Sequence, residues 1–70
     1  MKLYRNNETD ERVYIKDNNI NDDNHIPGYE YYTVTSGITS KPILQGTGLE
    51  LKEINLLEAE LIKDNYIRVL

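Results

Sequence analysis

Residues 47–64 read TGLELKEINLLEAELIKD, and the fold turns on this stretch. Leu51, Ile54, Leu57, Leu61 and Ile62 recur at the three- and four-residue spacing of one helical face, with Glu50, Glu53, Glu60 and Lys63 off it. Two start signals compete. Thr47 with Glu50, and Asn55 with Glu58, each have the spacing of a capping box, in which side chains at the N-cap and three residues on satisfy each other's free backbone amides. The first predicts a helix over about residues 48–64. The second predicts a strand over 49–53 and a shorter helix. Leu51 continues the stripe, which favours the longer helix. Asp64-Asn65 then ends it, and the β-branched, aromatic run from Tyr66 to Leu70 predicts a terminal strand.

Upstream of residue 47 the period is two. Leu3-Tyr4-Arg5 and Arg12-Val13-Tyr14-Ile15-Lys16 are short alternating segments on either side of a polar cluster, which predicts a hairpin. Residues 17–25 are almost all Asp and Asn, whose side chains bond to nearby backbone and favour loops. Pro27-Gly28 predicts a tight turn. Tyr29 to Thr35 is the strongest strand pattern, with Tyr32 and Val34 on one face and Tyr29, Tyr31, Thr33 and Thr35 on the other. Ile43-Leu44-Gln45 is a short return strand, punctuated by Gly46-Thr47-Gly48. The expected architecture is α+β in a single domain over residues 1–70: a small antiparallel sheet of four to five short strands with one helix packed on one face.

Composition narrows the function classes. The chain has 70 residues, no cysteine, 39% apolar residues and 29% charged residues, a globular balance without disulfides or thiolate metal sites. The formal net charge of -4 weighs against nucleic acid and against electrostatic attachment to membranes, both of which call for a basic face. Lys2, Arg5, Arg12, Lys16 and Arg68 would have to gather on one face for the nucleic-acid reading to stand. The polar start after Met1 predicts no leader and a cytoplasmic location. Free use of Asn, Ile, Tyr and Lys, with a single Ala59, is the mark of a low-GC genome and predicts a bacterial or phage origin.

No motif with chemistry survives inspection. Asp17-x-Asn19-x-Asn21 starts like a calcium loop, but Asp22 stands where its glycine belongs and Gly28 where its bidentate glutamate belongs. His25 has no nucleophile tied to it, since nothing connects it to Ser36 or Ser40. Gly46-Thr47-Gly48 lacks the further glycines and lysine of a phosphate loop. The sequence therefore predicts no catalytic residues, no cofactor and no metal.

The tyrosines remain. Tyrosine joins apolar area to a polar tip and is enriched where proteins meet. Tyr29, Tyr31, Tyr32 and Tyr66, with Leu56 off the helical stripe, are the candidate protein-interface residues. The expectation is a small acidic interaction protein: a regulator, adaptor or inhibitor that binds another protein. The alternative is a self-assembling structural or accessory protein of a bacterial mobile element. A terminal strand at a sheet edge would offer free backbone groups to a second copy, giving a homodimer with a continuous sheet.

Overall fold

The computed structural model describes residues 1–18, 27–35 and 41–70. Among these the chain forms β1 (Lys2–Asn6), β2 (Arg12–Asp17), β3 (Tyr29–Val34), β4 (Ile43–Leu49), α1 (Leu51–Lys63) and β5 (Tyr66–Arg68). The strands make one antiparallel sheet in the order β4-β3-β2-β1-β5, with α1 against one face. This is the α+β architecture that the change of period predicts.

The β1–β2 hairpin forms because Asn6 organises its turn. Its Oδ1 accepts the amides of Glu8 at 2.8 Å and Thr9 at 3.0 Å. Asp10 takes the left-handed conformation at φ 62°, which short polar side chains tolerate.

The helix starts later than the sequence predicts, and neither Thr47 nor Asn55 caps it. β4 continues as a strand through Gly46 and Gly48 to Leu49. Glu50 is the N-cap, and its amide donates to Glu53 Oε2 at 2.8 Å. The glycines that read as punctuation are strand residues under local crowding. A side chain at Gly46 would place its Cβ 2.8 Å from Cε1 of Tyr31. The β3–β4 ladder shifts register twice between Tyr29 and Tyr32, an irregularity of the kind that glycine in a strand accompanies.

The stripe is also narrower than predicted. Ile54 is 0% exposed, Leu61 is buried and Leu57 is half-buried, whereas Leu51 and Ile62 stand in solvent. A helix on a sheet touches it along a strip, and these two residues lie to one side of that strip. α1 ends as its residues dictate. The Asp64 amide turns back to Glu60 O at 3.0 Å, and Asn65 follows at φ 69°, the left-handed exit that asparagine accepts. Asn6 Nδ2 donates to Asp64 O at 3.0 Å and ties this exit to the hairpin turn. β5 is regular over Tyr66–Arg68, shorter than the expected run to Leu70. Beyond it, Val69 and Leu70 both donate to Leu3 O, at 2.8 and 3.3 Å.

The core lies between α1 and the sheet. Tyr4, Val13, Ile15, Ile54 and Leu61 are buried together, with Tyr29, Tyr31, Leu49, Leu57 and Tyr66 packed around them. Burying an aliphatic side chain of this size contributes about 1.5–3 kcal/mol. The core is small, so each of these residues carries a large share of the margin.

Candidate protein-docking face

Strand alternation gives the sheet a second face, and no described helix or strand lies over it. Register places Leu3 beside Tyr14, Tyr14 beside Tyr32, and Tyr32 beside Leu44. These four side chains form a row across β1, β2, β3 and β4, at right angles to the strands. Tyr14 and Tyr32 are half-buried, and Leu44 is exposed. Met1, Tyr14, Lys16, Tyr32 and Pro42 line a depression of about 370 Å³ on this side.

Charge is distributed unevenly around the row. On one side Lys16 stands opposite Glu30, and Tyr32 donates its hydroxyl to Glu30 Oε2 at 3.2 Å. Burial raises the Tyr32 hydroxyl above its ordinary value, and the bond to Glu30 and its negative charge add to the effect. On the other side Arg12 stands opposite Arg5 on β1 and Val34 on β3. Arg5 reaches Asp10 only at 3.9 Å. The Nε of Arg12 is buried and has no hydrogen-bond partner among the described residues. A buried N–H in that position carries desolvation cost without a compensating acceptor.

The structure separates the five predicted interface residues. Tyr32 lies in the row. Tyr29 and Tyr31 turn to the helix and pack against the core, as does Tyr66 at the sheet edge, whose hydroxyl approaches Glu11 Oε2 at 3.4 Å. Leu56 is 69% exposed on the outer surface of α1. Leu3, Tyr14 and Leu44 were not singled out by sequence reasoning, and Arg12 entered it only among the cations of the nucleic-acid reading. Their signal was present in part, since Tyr14 alternates against Val13 and Ile15, but joining them needs the register across four strands.

A polar cluster sits on the opposite face. Glu58 of α1 accepts the hydroxyl of Tyr4 and, at 2.9 Å, Lys2 Nζ. Burial pushes the Glu58 carboxyl up. The bonds from Tyr4 and Lys2, with the charges of Lys2 and Arg68, outweigh burial and hold it below the ordinary value. Burial and the same carboxylate raise the Tyr4 hydroxyl. Every member is satisfied within the chain, so the cluster fastens the helix to β1. The five cations weighed above for nucleic acid divide accordingly: Lys2 and Arg68 lie with Glu58, while Arg5, Arg12 and Lys16 lie on the helix-free face.

Residues 19–26 and 36–40 lie outside the described residues, so most of the Asp/Asn-rich loop, His25, Ser36 and Ser40 have no placement here. Among the described residues no three His, Cys, Asp or Glu side chains gather as metal ligands. No described helix is long and apolar enough to cross a membrane. Compared with known protein families, curated proteins and solved structures, the chain matches none.

Proposed function

We propose that this chain is a small interaction protein of the cytoplasm that regulates or adapts another protein by docking on its helix-free sheet face. The observation that carries this reading is the row Leu3–Tyr14–Tyr32–Leu44, an apolar and aromatic strip with no described element packed on it. Aromatic residues in a shallow depression are the usual anchors of protein contacts. Arg5, Arg12 and Lys16, which share this face, suit a partner segment that brings apolar side chains to the row and a carboxylate beside it.

The test is comparative capture from cells. Wild type and Leu56→Lys should retain the same stoichiometric partner, while Tyr32→Lys and Arg12→Glu, shown to be folded by circular dichroism, should lose it. A partner held equally by all four proteins, or lost only from the Leu56 variant, would overturn the assignment of this face.

A further inference from the structure

β5 forms one rim of the sheet, and its backbone is self-complementary. Asn65 O accepts from the Asn7 amide at 3.2 Å, and the Val69 amide donates to Leu3 O at 2.8 Å. Between them Ile67 stands opposite Arg5. In an antiparallel ladder, alternate residues turn their amide and carbonyl to the same side. Residues 65, 67 and 69 thus face β1, and Tyr66 and Arg68 present theirs outward. A two-fold axis through Ile67 sets Tyr66 of one copy opposite Arg68 of the other, and the reverse. Each such pair exchanges two N–H···O bonds, so the four outward groups on each copy are satisfied together.

The side chains around this rim agree with the register. Ile67 is 44% exposed on the helix-free face and would meet its own copy across the axis. Ile62 lies four residues after Glu58, on the helical flank that Glu58 turns toward β1 and Arg68, and it is 63% exposed. Val69 and Leu70, which continue along β1, are exposed as well. Apolar residues thus stand above and below this strand edge, and the one charge that β5 itself carries, Arg68, lies on the helix side with Glu58. On the helix side, the register sets Arg68 of one copy beside Tyr66 of the other.

We infer that β5 pairs with β5 of a second copy, in antiparallel register centred on Ile67, to make a ten-stranded sheet. The helix-free faces of both copies then lie on one side of that sheet, so pairing through β5 places no described element of the second copy over either docking row.

The experiment is native mass measurement from micromolar to millimolar protein, with fold checked by circular dichroism. Wild type should reach twice 8.2 kDa. Arg68→Pro removes one outward amide that β1 does not use, and Ile67→Lys places like charges across the axis; both should remain at 8.2 kDa, while Tyr32→Lys on the helix-free face should still reach twice that mass. Wild type that stays at 8.2 kDa at millimolar concentration would overturn the inference. So would a dimer that survives both β5 variants, or one that only Tyr32→Lys dissolves. Partner capture in the preceding test does not depend on this outcome, so the two readings fail separately.

Discussion

Glu58 shows how one helical residue connects elements far apart in the chain. Its carboxylate takes bonds from Tyr4 and Lys2, and its folded state favours the ionised form. A lowered folded value means that this contribution is fully present above the ordinary carboxyl value of 4.5 and is lost as pH falls through the folded value. Glu58→Gln should therefore destabilise the protein at neutral pH by about 1–3 kcal/mol. In a domain of this size each kcal/mol lowers Tm by about 4–8 °C. Thermal melts of both proteins should converge as the pH is taken below 4.5, where the wild type has lost what the variant lacks. A wild-type advantage that persists unchanged into that range would show that the charge is not the source. None of this was legible in the sequence. Glu58 read as half of a capping box, and its partner Lys2 stands 56 positions away. Arg12 was equally hidden, because an alternating strand does not announce which of its polar residues lacks an acceptor.

Elements were easier to read than their ends. The division of β3 into two faces follows from side-chain alternation alone, and Tyr29 and Tyr31 do pack on the side away from Tyr32. What alternation omits is which side the helix covers, and so which tyrosines stay available to a partner. The start of α1 was misplaced because a glycine signals a turn or a strand under crowding with equal force, and only the neighbouring chain decides. Gly28 makes the same point from the other side of the β3–β4 pair. It has φ +124°, and an added Cβ would lie 2.8 Å from the backbone of Gly48. Gly28→Ala should cost about 1–3 kcal/mol, from strain at a backbone conformation that other residues avoid and from the separation it forces between the two strands. Urea unfolding measures this directly. A midpoint equal to that of wild type would show that the two glycines do not need to touch.

At the scale of the molecule, length sets a limit that the structure respects. Seventy residues yield a small core, so the sheet has enough apolar residues to fill one face and a remainder on the other. That remainder is what distinguishes a minimal fold from a fold with a surface to use. The alternation of Leu3, Tyr14 and Tyr32 was available in the sequence, but the row exists only once four strands are in register. The order β4-β3-β2-β1-β5 has one more effect. β1 and β5 are neighbours, and the Leu3 amide bonds to Leu70 O at 3.1 Å, so the two ends of the chain lie side by side at the same end of the sheet. The polypeptide is thus nearly a ring that happens to be open between Leu70 and Met1. A circular permutant that joins those residues by a short glycine–serine bridge, and breaks the chain in the turn between Asn7 and Asp10, gives up turn bonds to Asn6 but should still fold with the wild-type circular dichroism spectrum, because the cut falls outside every strand, the β1–β2 ladder remains, and the bridge converts β5 and β1 into a hairpin. Where a ring is opened is a choice that the fold leaves free.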